Sequence, residues 1–293
     1  MEIVQDLGGK TMLVTGATSG IGRATMEALA LRDAHVIGVG RSEARCQAMQ
    51  REIVADLPTA HISYAVADLA SQMQILQLGE RIRGLVKTAT SGKLDVLVNN
   101  AGAVSSWRRQ TPDGYELQFA VNHLAPFLLT HELMPLLAAA KGGRVITVSS
   151  GSHRRTRIHW DDVMYRRGYG VLKSYKQSKL ANVLFTAEFN RRMADGTGVR
   201  AYAADPGLVD TPIGLKGTTG MARSAWQVRS RRGSSPEEAA AGIVFLATDP
   251  SVGQSENVYW KASHPKVPSA YARRGREAAR LWELSERLCG IAS

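Results

Sequence analysis

At 293 residues, 44% hydrophobic and 22% charged, the chain carries enough apolar side chains for a full core, which excludes a disordered or low-complexity protein. A net charge of +11, from 37 basic and 26 acidic residues, is able to attract nucleic acid, anionic lipid or an anionic ligand, and says nothing about fold. Two cysteines, Cys46 and Cys289, exclude a disulfide framework and a cysteine-based metal cluster, so a reducing, cytoplasmic setting is expected.

In chain order, short apolar runs alternate with helical patterns. Strands are predicted at 11–15 (TMLVT), 34–40, 61–68, 94–100, 143–150 and 199–205. Helices are predicted at 22–32, 42–56, 71–90, 113–138 and 173–194. This β-α alternation implies an α/β fold with one parallel sheet and helices on both faces. Right-handed crossovers then make it doubly wound, with about seven strands. One domain over 1–293 is expected. Its cofactor half covers about 8–150, its catalytic and substrate half about 151–260, and a C-terminal packing helix about 270–290. In that helix Leu281, Leu284 and Leu288 share a face. The first residues, MEIVQDLGGK, lack the basic-then-apolar pattern of a leader, and the longest apolar runs, such as 239–247, are too short for a transmembrane segment.

Between the first strand and first helix lies TGATSGIGRAT (15–25). Gly16, Gly20 and Gly22 allow a tight turn and close backbone approach to a ligand. Thr18, Ser19 and Ile21 complete the loop. The free N–H groups and positive end of the helix that follows suit a pyrophosphate. The plain alternative is a strand–helix turn with no ligand. At the end of the second strand an acidic residue would bind the ribose 2′-hydroxyl of NAD. This chain has Gly40 and Arg41 there, with Arg45 beyond, Arg23 beside the glycine loop and no carboxylate before Glu43. Arginine pairs with a 2′-phosphate, so NADP(H) is the expected cofactor. The plain alternative for Arg41 is the start of an exposed helix.

The stretch YGVLKSYKQSK (169–179) holds Tyr-x-x-x-Lys twice, as Tyr169 with Lys173 and Tyr175 with Lys179. Either pair is an acid–base couple or two exposed side chains.

Several motifs stand in order: TGATSGIG (15–22), Asp68 with Leu69, NNAG (99–102), Asn122 in VNHLAPFLLT, VSS (148–150), YKQSK (175–179) and PGLVDT (206–211). Together the chain resembles the short-chain dehydrogenases/reductases, whose fold is Rossmann-type. SKLANVLFTAEFNRRM and LWELSERLCGI resemble the retinol-dehydrogenase-like branch, mostly NADP-linked and similar also to light-dependent protochlorophyllide reductases. The resemblance implies a catalytic set of Asn122, Ser150, Tyr175 and Lys179. Helical phasing agrees: Tyr175 precedes a long apolar run, whereas Gly168 and Gly170 flank Tyr169, which places Tyr169 and Lys173 in a preceding loop.

A free tyrosine has a pKa of about 10, too high for a base at neutral pH. The Lys179 ammonium and an oxidised nicotinamide would favour tyrosinate, and Lys179 would hold the ribose hydroxyls. The resemblance gives Ser150 the substrate oxygen and leaves Ser149 structural. It has Asn122 kink its helix and hold a water in a relay to Lys179; the plain alternative is a buried amide on backbone. Asn99, Ala101 and Gly102 would line the cofactor, and Asp68, next to Leu69, would accept from the adenine amino group. Thr211, with Pro206, Gly207 and Val209 before it, would fix the carboxamide. Asp205 departs from the branch, whose members often carry His there.

The long segments 151–172 and 207–235 are expected at the carboxyl edge of the sheet. They hold Arg154, Arg155, Arg157, Arg166, Arg167, Arg223, Arg229, Arg231 and Arg232, with Trp160, Tyr165, Tyr169, Met221 and Trp226. The plain reading is a solvated, mobile lid. The sharper one is a hydrophobic carbonyl or alcohol substrate bearing an acidic group. Arginines interleaved with aromatics also fit single-stranded nucleic acid, but no recognition motif supports it and none is expected. Monomer and homo-oligomer stay open. The expected activity is an NADP(H)-dependent oxidoreductase; the alternatives are an NADP-binding regulatory protein without turnover and a C=C reductase.

Overall fold

The computed structural model describes residues 6–209 and 233–291. Its centre is one sheet in the order β3-β2-β1-β4-β5-β6-β7-β8. The strands are β1 (Thr11–Thr15), β2 (His35–Gly40), β3 (Ile62–Val66), β4 (Val96–Asn99), β5 (Arg144–Val148), β6 (Arg200–Asp205), β7 (Tyr259–Lys261) and β8 (His264–Pro265). Neighbours from β3 across to β7 are parallel, and only β8 pairs antiparallel. Seven parallel strands match the expectation, and the two-residue β8 adds an eighth.

Both faces of the strands are apolar, as a parallel sheet covered on two sides requires. Leu13, Ile37, Leu97, Val145 and Ala201 point to one face. There they meet Leu78 and Ile82 of α3 (Gln72–Ala89), Leu128 and Leu133 of α5 (Ala125–Ala138) and Phe185 of α6 (Val171–Thr197). Their alternates Met12, Val14, Val36, Val98, Ile146 and Tyr202 point to the other. That face is covered by Met26 and Leu29 of α1 (Gly20–Ala30) and by Ile243 and Leu246 of α7 (Pro236–Thr248). The run at 239–247, read only as too short for a bilayer, is thus the body of a buried helix. Ser235 and Glu238 close its start as a reciprocal capping box with Pro236 in the first turn.

Among the described residues the other α-helices are α2 (Glu43–Asp56), α4 (Leu117–Phe119), α8 (Pro250–Gly253) and α9 (Gly275–Cys289). The helix expected over 113–138 is not continuous: α4 runs into a π-helical turn, Ala120–Leu124, before α5. On α9 the buried residues are Ala278, Leu281, Trp282 and Ser285, so Leu284 and Leu288 sit at the edge of the packing face. Trp282 stacks on Phe185 at 5.9 Å and meets Phe127 edge-on at 4.9 Å, which ties α9 to α5 and α6. Among the described residues no helix is long and apolar enough to cross a membrane.

Sequential strands run outward from β1 to β3, and the chain then returns to β4 on the other side of β1. The crevice of such a sheet lies at this reversal, beyond the carboxyl ends of β1 and β4.

Candidate active site

The glycine loop sits in that crevice. Gly16 has φ +70° and Gly20 φ +55°, in the left-handed region that favours glycine. A Cβ on Gly22 would lie 2.4 Å from Gly16 O and 2.5 Å from Asn100 Nδ2, so the loop folds against itself and against the segment after β4. Asn100 holds it there. Its Nδ2 donates to Thr15 O at 2.8 Å, while the N–H groups of Asn100 and Ala101 both donate to Thr15 Oγ1 at 3.0 Å. Ser19 is the N-cap of α1 and its side chain makes no capping bond to the first turn. A backbone turn with no Cβ in the way, opening onto a helix start, fits a dinucleotide pyrophosphate.

Of the expected cofactor residues, Ala101 lies against the glycine loop, its Cα 3.0 Å from where a Cβ on Gly16 would stand, and Gly102 follows it in the chain. The Asn99 side chain is buried and donates to Thr130 Oγ1 at 3.1 Å. Sequence reasoning named Asn99 and passed over Asn100, which braces the loop. Arg41 is exposed just after β2, and Arg45 reaches Thr18 O at 3.4 Å. Arg23 is engaged elsewhere, with Glu27 at 2.7 Å and Glu52 at 3.0 Å. Asp68 is exposed after β3; its Oδ1 accepts from Ala70 N, and Leu69 beside it is half-buried.

Tyr175 and Lys179 lie on α6, with the Lys179 Nζ 5.7 Å from the Tyr175 ring centroid. Lys179 is 3% exposed and donates to Val148 O at 2.9 Å. Burial pushes its ammonium down to about 8. Ser149 is buried and donates to Lys179 O at 2.8 Å, a structural bond. Ser150 begins the turn after β5, and its Oγ accepts from Ser152 N at 3.2 Å. Asn122 lies in the π turn. Its Oδ1 accepts from Ala103 N at 2.7 Å, and its Nδ2 donates to Ala103 O and Ser178 Oγ. The irregular helix is therefore present and the amide is bonded to backbone.

The other tyrosine has a different role. Tyr169 O–H donates to Ser105 O and accepts from Gln118 Nε2, both at 2.7 Å, and burial pushes its phenol up to about 12. Lys173 is not in a loop: α6 begins at Val171. Glu116, fully buried, accepts from the N–H groups of Gln118 and Phe119 and from Ser174 Oγ at 2.7 Å. It pins the residue before Tyr175 to the start of the Asn122 segment, and nothing in the sequence marked it.

A family model described as short chain dehydrogenase matches residues 10–219, most of the chain and all of these positions up to Thr211. The chain belongs to the short-chain dehydrogenase family. It is 35% identical to retinol dehydrogenase 13 of Homo sapiens over 288 residues, 97% of this chain and 85% of that one. It is 35% identical to dehydrogenase/reductase SDR family member 13 of Bos taurus, over 97% of this chain and 74% of that one. Among solved structures, an uncharacterised protein from Mycobacterium Paratuberculosis aligns with TM-score 0.75 and 30% identity, over 98% of this chain and 95% of that one. Angucycline C-6 ketoreductase LanV with bound NADP aligns with TM-score 0.69 and 26% identity, over 88% and 95%. These relatives place the chain in the retinol-dehydrogenase-like branch of the family.

In this short-chain dehydrogenase Asp205 is a buried structural acceptor. Its Oδ2 takes the Tyr259 O–H at 2.6 Å and its Oδ1 the Gly207 N–H at 3.0 Å. Tyr259 packs edge-on against His153 at 4.7 Å. His153 Nε2 accepts from Ser269 N at 3.1 Å, so the ring proton is on Nδ1, which donates to Ser150 O at 2.8 Å. The unusual carboxylate thus anchors the wall beside Ser150. Pro206 and Gly207 follow it; Val209 bridges to Ser234. Thr211 lies outside the described residues, as do Met221, Arg223, Trp226, Arg229, Arg231 and Arg232.

The segment 151–172 is not a solvated lid. Ile158 and Met164 are buried in the cluster that holds Phe119, Leu180 and Leu281, with Trp160 packed at its edge, and the buried Tyr165 stacks on His159 at 5.5 Å. Trp160 donates to Glu277 at 2.7 Å and carries Arg280 over its ring at 4.2 Å. Arg154 donates to Val267 O, while Arg155, Arg157, Arg166 and Arg167 are exposed.

Proposed function

We propose that the protein is an NADP(H)-dependent oxidoreductase for a carbonyl, or the matching primary or secondary alcohol, of a hydrophobic small molecule. The observation that carries this reading is the Tyr175–Lys179 pair, a phenol beside a buried ammonium on one helical face.

Bound at the glycine loop, the nicotinamide would supply or accept the hydride. Tyr175 gives the proton to the carbonyl oxygen in reduction and takes it from the alcohol in oxidation. Below about pH 8 Lys179 keeps its charge and favours the tyrosinate that this exchange leaves. Ser150 Oγ donates to the same substrate oxygen and holds it in line. Asn122 keeps α5 and α6 in register through Ser178. In this reading 8–150 serves the cofactor and 151–260 the substrate, within one domain.

Arg41 and Arg45, with no acidic residue at the end of β2, support a 2′-phosphate and hence NADP(H). The name retinol dehydrogenase on the relatives supports an alcohol–carbonyl pair. The exposed arginines of 151–172 support an acidic group on the substrate, at the modest, salt-sensitive strength of solvated charges. Two cysteines in the whole chain support a cytoplasmic site of action. The test is a panel of ketones and aldehydes with NADPH or NADH, followed by loss of reduced-nicotinamide absorbance. Turnover with NADPH in preference to NADH is expected. No turnover with any substrate, or a preference for NADH, overturns the reading.

A further inference from the structure

Behind Lys179 lie buried polar groups that the reading above does not use. His123 follows Asn122 in the π turn, is 1% exposed, and has its Nε2 2.8 Å from Ser285 Oγ on α9. Burial pushes its ring down to about 3, so it is neutral at physiological pH. Asn182 stands three residues beyond Lys179 on α6, is 1% exposed, and its Nδ2 donates to Val148 O at 3.1 Å. Lys179 Nζ donates to the same oxygen at 2.9 Å. One carbonyl at the end of β5 therefore seats both the amide and the ammonium.

Two atoms are left over. His123 Nδ1 and Asn182 Oδ1 are both enclosed, and neither has a hydrogen-bond partner. Ser285 Oγ lies 2.8 Å from Leu281 O. If the hydroxyl proton points there, His123 must donate from Nε2, and Nδ1 stays bare inside the protein beside a bare amide oxygen. Two buried acceptors without donors are a costly arrangement. The other tautomer removes both at once. With the proton on Nδ1, the ring donates to Asn182 Oδ1 and Nε2 accepts from Ser285. Geometry brings the two groups together: Asn122 is bonded to Ser178 at 2.9 Å and the His123 ring lies 6.4 Å from the Phe185 ring, so Asn182, which shares that face of α6 between Ser178 and Phe185, is turned toward His123.

We propose that Ser285, His123 and Asn182 form a buried chain of hydrogen bonds from α9 to the Val148 carbonyl, which makes His123 and Asn182 positioning residues for Lys179. Ser285 Oγ–H donates to His123 Nε2, His123 Nδ1–H to Asn182 Oδ1, and Asn182 Nδ2–H to Val148 O beside the ammonium. All three bonds point the same way, so each strengthens the next. No proton is transferred along it. Its work is to fix the direction of one carbonyl and, through it, one ammonium. The role of Lys179 in turnover rests on the function proposed above; the chain itself does not.

Long-range 15N–1H NMR on the full protein with 15N-labelled histidine tests the chain without any substrate. The His123 signals are assigned by their loss in His123→Gln. A protonated Nδ1 with a bare Nε2 is expected; a protonated Nε2 leaves Asn182 unbonded and overturns the proposal. The positioning role is read from kcat, substrate KM and NADPH Kd in Ser285→Ala, Asn182→Leu and the double variant. Asn182→Leu is expected to lower kcat about tenfold at unchanged KM, the scale of one buried hydrogen bond, and Ser285→Ala about threefold. The double variant should fall no further than Asn182→Leu, because both break one chain. Effects that multiply, or that appear in KM alone, overturn it. If Asn182→Leu does not fold, Ser285→Thr, which keeps the hydroxyl, must restore what Ser285→Ala loses. A protein that turns over nothing refutes the proposed function, while the tautomer still decides the chain.

Discussion

The Nζ of Lys179 lies 5.7 Å from the centre of the Tyr175 ring, one helical turn away along α6. The other tyrosine of this stretch, Tyr169, is held by Ser105 and Gln118. Tyr175→Phe is therefore expected to lower kcat by at least a hundredfold, the typical worth of a general acid–base group, and to leave NADPH affinity nearly unchanged. Tyr169→Phe is expected to cost about 1–3 kcal/mol of stability, because Gln118 and Ser105 lose a buried partner, with little loss of turnover. Turnover assays and urea melts of both variants decide the matter; a dead Tyr169→Phe beside an active Tyr175→Phe would reverse the assignment.

Lys179 is expected to oppose folding. Its pKa in the folded protein, about 8, lies below its value of about 10.4 in an unfolded chain. Between those limits the unfolded chain binds more protons, so stability rises with pH across this window and the cost is full below it. Lys179→Met should thus be more stable than the parent at pH 7, by up to about 3 kcal/mol, with the difference shrinking between pH 8 and 10. Urea denaturation at a series of pH values measures it. A difference that grows with pH would show that the ammonium is held better than it is desolvated.

Arg41→Asp should move cofactor preference from NADPH towards NADH, since it removes an arginine and adds a charge that repels a 2′-phosphate. The ratio of kcat/KM for the two cofactors is the measurement. A parent enzyme that already prefers NADH would sink the assignment.

Tyr259→Phe removes the hydroxyl that Asp205 Oδ2 accepts at 2.6 Å. Among the described residues the buried carboxylate then keeps the Gly207 N–H alone, and a loss of about 1–3 kcal/mol follows. The urea midpoint should drop at constant slope. An unchanged midpoint would mean that Asp205 finds water or another donor.

The parallel sheet was legible because its strands are short apolar runs between helical patterns, as TMLVT at 11–15 is. So was the pairing of Tyr175 with Lys179, since phasing along a helix is a local property. What escaped was set by contacts distant in sequence. Asn99 and Asn100 are identical letters, and only the end of β4 decides that one points to Thr130 and the other to the glycine loop. The Asp205 carboxylate looked misplaced until β7 brought Tyr259 beside it. Glu116 faces Ser174 across 58 residues of chain. The helix at 236–248 did carry a local signal, Ser235-Pro236-Glu237-Glu238, which its apolar body obscured.

The position of α9 in the order of synthesis has its own consequence. The rings that Trp282 covers, Phe127, Phe185 and Phe189, leave the ribosome before it does. During that interval the aromatic floor between α5 and α6 is open to water, at a cost of about 1.5–3 kcal/mol for each large side chain left unburied. A nascent chain therefore carries a nearly complete nucleotide crevice beside an exposed greasy seam, a state that invites aggregation or chaperone capture. Maturation of the enzyme is then timed by the arrival of α9. Arrested chains that stop before Gly275 should bind a hydrophobic dye, and chains that extend past Cys289 should not.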